Sequence, residues 1–140
     1  PLYLFIERGL IMNQNVLFFI KHKSEVKYLS ADMTVYQALN EMKEYKYTAV
    51  PVINYDGSYL GTITEGDFLW YIMNDGSFHT KIKHVVRKDF CKPVNVNTDI
   101  NELFSQSLNQ NFVPIIDDRY IFIGIVTRKK ILEQLISERT

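Results

Sequence analysis

Apolar residues recur along the chain with two different spacings, which predict alternating strands and helices. Short apolar runs at residues 50–53 and 59–63 flank the turn-forming sequence Asn-Tyr-Asp-Gly at 54–57 and predict a hairpin. Helical spacing precedes and follows this hairpin, and Thr34 is placed to cap the earlier helix. The apolar positions of the two helices are Val35, Ala38, Leu39 and Met42 before the hairpin, and Phe68, Leu69 and Ile72 after it.

The same order of elements returns 63 residues further on. Thr-Ala-Val-Pro-Val-Ile at 48–53 is matched by Asn-Phe-Val-Pro-Ile-Ile at 111–116, and Gly-Thr-Ile-Thr at 61–64 by Gly-Ile-Val-Thr at 124–127. Thr98 is placed to cap the first helix of this copy, although aligning the two first helices needs a small gap. The sequence predicts strand, helix, strand, turn, strand and helix in each repeat, over residues 13–74 and 78–140. The apolar helix positions of the second repeat are Ile100, Leu103, Phe104 and Leu108, then Ile131, Leu132, Leu135 and Ile136.

Composition is that of an ordinary globular protein, with 46% hydrophobic and 23% charged residues among 140. A half of about 60 residues buries too little surface alone, so we expect the repeats to pack sheet against sheet about a pseudo-twofold axis. Clefts between them would suit a small molecule. Sixteen basic residues balance sixteen acidic ones, which predicts no nucleic-acid or membrane partner. The single cysteine, Cys91, excludes an internal disulfide and indicates the cytoplasm.

Residues 1–12 form an N-terminal extension with two interpretations. The apolar runs at 2–6 and 16–20 fall well short of the roughly 20 residues that span a bilayer, and a signal peptide is not indicated. Codons for Glu7-Arg8-Gly9 can form a purine-rich run close to Met12, the layout of a bacterial ribosome-binding site. Either translation begins at Met12, or the first eleven residues are a strand or helix that packs on the core.

Residues 61–69, Gly-Thr-Ile-Thr-Glu-Gly-Asp-Phe-Leu, carry the most informative chemistry. A strand is predicted to end at Ile63, and Thr64 and Asp67 then lie on one side of the first turn of a helix. The unpaired N–H groups and the positive dipole end of that turn favour an anion. A carboxylate there can accept hydrogen bonds from two neighbouring ribose hydroxyls. The alternative is structural, with Thr64 as an N-cap and Asp67 complementing the helix dipole.

This doubled pattern resembles the tandem CBS domain pair, or Bateman module, from about residue 15 onward. The resemblance rests on the Thr-Ala-Val-Pro-Val-Ile strand and the Gly-x-apolar-Thr-x-x-Asp turn, in that order. It implies an α/β (α+β) fold of two β-α-β-β-α repeats with a regulatory role. It also implies an adenosine-containing ligand in the cleft between the repeats, such as AMP, ADP, ATP, S-adenosylmethionine or a cyclic dinucleotide, and a disc-like homodimer.

The resemblance assigns one competent ligand site, to the first repeat. Asp67 takes the position of the ribose carboxylate and Thr64 that of the hydroxyl near ribose or phosphate. The other matching positions lie around the base: Thr48, Ala49 and Pro51 line it, Thr62 is an adjoining wall residue, and Lys27 and Tyr28 are a weaker match to the wall.

The second repeat departs from the family pattern at two of these positions. Lys130 replaces the ribose carboxylate, and Phe112 replaces the small Ala49, where its ring would fill the base pocket. Similarity to the gamma subunit of AMP-activated protein kinase makes the start of the last helix a candidate for phosphate contacts. A solvated basic helix start is the alternative. The candidates are Thr127, Arg128, Lys129 and Lys130.

No catalytic machinery is recognisable in the sequence. His22, His79 and His84 lack metal-ligand spacing, Cys91 reads as a small buried residue, and Trp70 reads as core or dimer interface. The sequence therefore predicts a sensor and not an enzyme, requiring no cofactor and no metal, with an adenine nucleotide as regulatory ligand. Expected partners are a second copy of the chain and an unidentified effector protein. The competing hypothesis is a ligand-free module for protein association.

Overall fold

The structure, a computed structural model, describes residues 15–139, with side chains up to residue 137. The two interpretations of residues 1–12 fall outside this range. The described chain divides into two compact units. The central unit is Lys27–Lys92, and the terminal unit combines residues 15–26 with residues 93–139. Residues 15–26 precede the first repeat's own strand yet belong to the same unit as the second repeat.

The elements follow the predicted order twice over, which confirms the α/β class and the β-α-β-β-α repeat. Short 3-10 helices occur at Val16–Phe18, Lys23–Glu25 and Ile82–His84. The strands and α-helices are β1 (Lys21–His22), β2 (Leu29–Ser30), α1 (Val35–Tyr45), β3 (Ala49–Ile53), β4 (Tyr59–Thr64), α2 (Glu65–Met73), β5 (Val94–Asn95), α3 (Ile100–Ser107), β6 (Phe112–Ile116), β7 (Phe122–Thr127) and α4 (Arg128–Arg139).

The central unit is a three-stranded sheet, in the order β2-β3-β4, with helices α1 and α2. Strand β2 runs parallel to β3, and β3 pairs with β4 as an antiparallel hairpin. Successive side chains of a strand point to opposite faces, so Val50, Val52 and Ile63 share the face that packs on the helices. Phe68 of α2 and Ile82 complete this core and are almost fully buried.

The terminal unit has a four-stranded sheet, in the order β1-β7-β6-β5. Its additional strand, β1, pairs antiparallel with β7, with Lys21 opposite Ile125 and His22 opposite Gly124. A Cβ at Gly124 would lie 2.3 Å from the carbonyl oxygen of Lys21, so only glycine permits this close approach of β1. Val16 and Phe19 are fully buried in the core of this unit, which explains the apolar run at residues 16–20.

The caps of the first helices confirm one expectation and correct another. Thr34 caps α1 as predicted, in a reciprocal capping box with Gln37. Thr98 does not cap α3, because the N-cap is the next residue, Asp99, whose carboxylate accepts from the N–H of Asn101. The connection from helix start to strand start is two residues shorter in the second repeat, which locates the alignment gap.

Leu108 was expected on the apolar face of α3, and this expectation is wrong. The helix ends at Ser107, so Leu108 is its C-cap residue and its side chain is 79% exposed. The backbone of Leu108 is still helical (φ −67°, ψ −26°), but its side chain lies at the exposed end of the helix.

Both hairpins turn through a residue with left-handed backbone geometry. In the central unit this residue is Gly57 (φ 90°), and in the terminal unit it is Tyr120 (φ 67°). An aspartate stabilises each turn: Asp56 accepts from Ser58, and Asp117 accepts from the N–H groups of Arg119 and Ile121. The hydrogen bonds from Ser58 lower the pKa of Asp56, and those from the turn backbone, chiefly that of Ile121, lower the pKa of Asp117.

Candidate functional site

The candidate residues of β3 and β4 share the sheet face that points away from α1 and α2. Ala49 lies opposite Thr64, and Pro51 lies opposite Thr62, in the antiparallel register. Alternation puts all four on one face, because their neighbours Val50 and Ile63 belong to the helix-side core. Ala49 and Thr64 are half-buried, whereas Pro51 and Thr62 are buried. The accessible end of this face is therefore the end where β4 meets α2.

Thr64 and Asp67 form a capping box at the start of α2. The Thr64 hydroxyl oxygen accepts from the Asp67 N–H at 3.1 Å, and Asp67 Oδ2 accepts from the Thr64 N–H at 2.9 Å. The purely structural role considered for these two residues is thus present in the molecule. It uses one acceptor position on one carboxylate oxygen, which leaves capacity for further hydrogen bonds.

Arg87 is the second partner of Asp67. Its Nε donates to Asp67 Oδ1 at 2.7 Å; the Asp67 side chain is 10% exposed and the Arg87 side chain 54%. The guanidinium also lies 4.1 Å from the centre of the Phe90 ring. Arg87 reaches this position because its backbone forms a bridge with Thr62 of β4. A Cβ at Gly61 would lie 2.9 Å from the Arg87 carbonyl oxygen, so glycine permits the contact.

Thr64, Gly66, Asp67 and Arg87 line a cavity of about 570 Å³ at this helix start. Its wall continues along α2 to Trp70, Tyr71 and Asn74, and across to His84 and Val85. The cavity thus combines a carboxylate, a guanidinium, the N-terminal turn of a helix and aromatic surface. These groups can bind a molecule that carries hydroxyls, a negative charge and a flat ring.

Other predicted site residues lie elsewhere in the central unit. Lys27 forms an ion pair with Glu41, and its ammonium lies 4.3 Å from the centre of the Tyr45 ring, both on α1. The hydrogen bond to Glu41 raises the pKa of Lys27 above its ordinary value. Tyr28, the residue after Lys27, is 39% exposed. Neither side chain is among those that line the cavity at Asp67.

Thr48 and Thr62 are also separate from that cavity. Thr48 lines a different depression of about 550 Å³ between α1 and α2, and its carbonyl oxygen accepts from the Glu65 N–H. The Thr62 hydroxyl is buried and lies 2.8 Å from the hydroxyl of Tyr59, which in turn donates to the Cys91 carbonyl oxygen at 2.7 Å. The structure therefore brings Thr64 and Asp67 together in the cavity, with Ala49 beside them in the strand register.

The terminal unit repeats the helix start with different side chains. The Thr127 hydroxyl oxygen accepts from the Lys130 N–H at 3.1 Å. The Lys130 side chain has no acceptor for the Thr127 N–H, so the capping box is incomplete. Arg128 Nε donates to the carbonyl oxygens of Ser107 at 2.7 Å and Gln110 at 3.0 Å, at the C-terminal end of α3. Lys129 lies 4.0 Å from Glu133, one turn along α4.

The sequence does not predict the interactions of two arginines, Arg87 and Arg128. Arg87 follows Asp67 by twenty residues, and the only signal is one basic residue after the apolar pair Val85-Val86. Arg128, a candidate for phosphate contacts or solvation, instead donates to the carbonyl oxygens of Ser107, the last residue of α3, and of Gln110 just beyond it. Both interactions join residues that are distant in the sequence, and no local spacing of residues predicts them.

Metal and thiol chemistry find no support in the described part of the chain. Among residues 15–139, no three His, Cys, Asp or Glu side chains are close enough together to hold a metal ion. Cys91 is buried as expected, and burial raises the pKa of its thiol, which disfavours the reactive thiolate. Every helix within these residues is too short or too polar to cross a bilayer.

A family model for the CBS domain matches residues 11–74 and again residues 82–137, and so covers most of the chain in two repeats. The protein belongs to the CBS domain family. A curated relative is inosine-5'-monophosphate dehydrogenase of Methanocaldococcus jannaschii, 29% identical over 109 residues. The match covers 76% of this chain but 21% of the relative, so this CBS protein spans about a fifth of that enzyme. Two tandem CBS repeats form a regulatory module, and the shared part is this module.

Solved structures of CBS proteins share the fold over nearly the whole chain. CbpB in complex with c-di-AMP matches with a TM-score of 0.87 at 21% identity, covering 99% of this chain and 95% of that one. A CBS domain protein from Streptococcus pneumoniae matches with a TM-score of 0.82 at 25% identity, covering 97% and 94%. CBSX2 in complex with AMP matches with a TM-score of 0.75 at 19% identity, covering 90% and 98%.

Proposed function

We propose that this CBS module senses an adenine nucleotide of the AMP, ADP or ATP type, bound at the start of α2 in the central unit. The observation that carries the proposal is the Asp67 carboxylate, which lines a cavity of about 570 Å³ together with Arg87 and the first turn of a helix. The fold neighbours support the choice of ligand, because CbpB was solved with c-di-AMP and CBSX2 with AMP.

Each part of a nucleotide has a matching group here. The Asp67 carboxylate, whose Oδ1 now accepts from Arg87, would take the ribose hydroxyls. The Glu65 and Asp67 N–H groups of the first turn of α2 already have partners, so this turn would attract a phosphate through the positive end of the helix dipole at Gly66. The base would lie at the accessible end of β3, where Ala49 is half-buried beside Thr64.

The regulatory output follows from differential binding. A ligand shifts a conformational equilibrium only as far as it binds one state better than another. In this proposal the nucleotide-bound module changes its contacts with a second copy of the chain or with an effector protein in the cytoplasm. The nucleotide is a regulatory ligand and not a cofactor or substrate.

Calorimetric titration with AMP, ATP, S-adenosylmethionine and c-di-AMP tests the proposal. We expect saturable binding of at least one phosphorylated compound at one site per chain. Asp67→Asn keeps an acceptor oxygen for the Thr64 N–H but loses the charge that holds the ribose. Loss of two charge-assisted hydrogen bonds predicts roughly 100-fold weaker binding. Asp67 also caps α2, so thermal unfolding of the variant should be measured alongside.

Matched controls lie on the same helix turn and at the equivalent position of the second repeat. Glu65→Gln removes an exposed carboxylate two residues from Asp67, and Lys130→Ala changes the corresponding residue of α4. Both variants should bind as the unchanged protein does. The proposal would be overturned if the protein, freed of co-purified ligand, bound none of the four compounds. It would also be overturned if Asp67→Asn bound them with unchanged affinity.

A ligand-free association module is the second candidate, and one observation favours it. Helix α2 exposes Leu69, Trp70 and Met73 by 59%, 68% and 65%. An exposed apolar patch of this kind is typical of a surface that binds another protein. Light scattering on the titration samples separates the two candidates. A dimer whose mass and stability do not respond to any of the four compounds supports the association module alone.

A further inference from the structure

The Asp67 carboxylate, to which a ribose would bind in the proposed site, already forms an ion pair with Arg87. Arg87 Nε donates to Asp67 Oδ1 at 2.7 Å, and Asp67 keeps only 10% of its side chain exposed. Its other oxygen already accepts from the Thr64 N–H. A ligand that approaches this carboxylate therefore meets a guanidinium at its surface, and the two compete for the same oxygen.

The guanidinium is the movable member of this pair. The Arg87 side chain is 54% exposed, whereas Asp67 is held in the capping box at the start of α2. Arg87 lines the cavity, as does Gly66 in the first turn of α2. If the side chain turns from the carboxylate into this space, it faces the positive end of the α2 dipole, where a phosphate would lie and accept hydrogen bonds from the guanidinium.

The outcome of this competition depends on the charge of the ligand. A phosphorylated nucleotide gives Arg87 a new anion when ribose hydroxyls take its place on Asp67. Uncharged adenosine gives it none, and cationic S-adenosylmethionine adds repulsion. The same residue thus favours one class of adenosine compounds and disfavours two others.

We propose that Arg87 is the specificity-determining residue of this site, which selects adenine compounds that carry a phosphate over adenosine and S-adenosylmethionine. This proposal rests on the proposed nucleotide site and adds which class of adenine compound that site prefers. It assigns a ligand-dependent role to a residue twenty positions beyond the Thr-x-x-Asp turn, on the segment that leads out of the central unit.

The test compares dissociation constants of AMP, adenosine and S-adenosylmethionine in the unchanged protein and in Arg87→Gln. We expect the unchanged protein to prefer AMP over adenosine by about tenfold, the scale of one charge-assisted contact. Arg87→Gln should bind AMP more weakly and adenosine equally well or better, so that the preference disappears. S-adenosylmethionine should gain affinity. Arg87→Lys keeps the charge and should retain part of the preference.

The matched control is Lys88→Gln, which removes an exposed cation from the next residue and should leave all three affinities unchanged. Thermal unfolding of each variant shows whether the fold is kept. Equal losses for AMP and adenosine in Arg87→Gln, or an unchanged ratio, would overturn the proposal while the nucleotide site stands. If the unchanged protein binds none of the three compounds, the proposed function fails and the selectivity with it.

Discussion

The starts of α2 and α4 are two copies of one backbone motif with different chemistry. In each, a threonine ends a strand and accepts from the N–H three residues on, at 3.1 Å in both cases. At α2 that third residue is Asp67, which returns a hydrogen bond and also binds Arg87. At α4 it is Lys130, which has no acceptor to offer. The backbone geometry therefore persists where the carboxylate acceptor does not.

The residue directly after each threonine separates the two units further. Glu65 is exposed at the first position of α2, whereas Arg128, at the first position of α4, donates to carbonyls at the C-terminal end of α3. Helix carbonyls at that end have no partner within the helix and carry the negative end of the dipole, so a cation there is stabilising. The central unit leaves its helix start open to a cavity, and the terminal unit uses the same position to join two helices.

The largest effect on stability is expected at Arg128. Arg128→Met keeps much of the apolar stem but removes the two charged hydrogen bonds to the Ser107 and Gln110 carbonyls. The free energy of unfolding should fall by about 2 kcal/mol. Urea denaturation measures it. Lys129→Met and Glu65→Met are the controls, and each should change the free energy of unfolding by less than about 0.5 kcal/mol. Equal effects of Arg128→Met and Lys129→Met would contradict a structural role for Arg128.

The fold was largely predictable because its signals are local and occur twice. The apolar runs at 50–53 and 113–116 and the turn at 54–57 each act within a few residues, and the 63-residue offset checks one copy against the other. The errors fell where the copies differ in length. Thr98 and Asp99 are both good N-cap residues, and only the true start of α3 decides between them.

The candidate site was predictable only in part. Thr64 and Asp67 are three residues apart on one helix turn, so their juxtaposition follows from helix geometry. Arg87 reaches Asp67 because the segment after Ile82 returns to β4, and Lys27 turns to Glu41 on α1 instead of the cavity. These placements depend on how distant segments pack, which hydrophobic spacing does not encode.

The two hairpin turns give a second comparison, with a smaller effect. Gly57 and Tyr120 occupy equivalent positions, and the N–H of each donates to the carbonyl of the residue three before it. A tyrosine with φ 67° is strained where glycine is not. Tyr120→Gly should raise the free energy of unfolding by roughly 1 kcal/mol, and Gly57→Ala should lower it by a similar amount. Thermal and urea unfolding measure both, and a loss of stability in Tyr120→Gly would show that the ring's contacts outweigh the strain.

The smallest effect is expected from restoring at α4 the residue found at α2. Lys130→Asp supplies an acceptor for the Thr127 N–H and places a negative charge in a first turn that now carries Arg128 and Lys129. Both changes favour the helix, and the free energy of unfolding should rise by roughly 0.5 kcal/mol. Calorimetry of the same variant should still find one nucleotide site per chain, because Phe112 stands where the first repeat has Ala49. A second site in Lys130→Asp would show that the carboxylate alone separates the two repeats, and that the phenyl ring does not block the base.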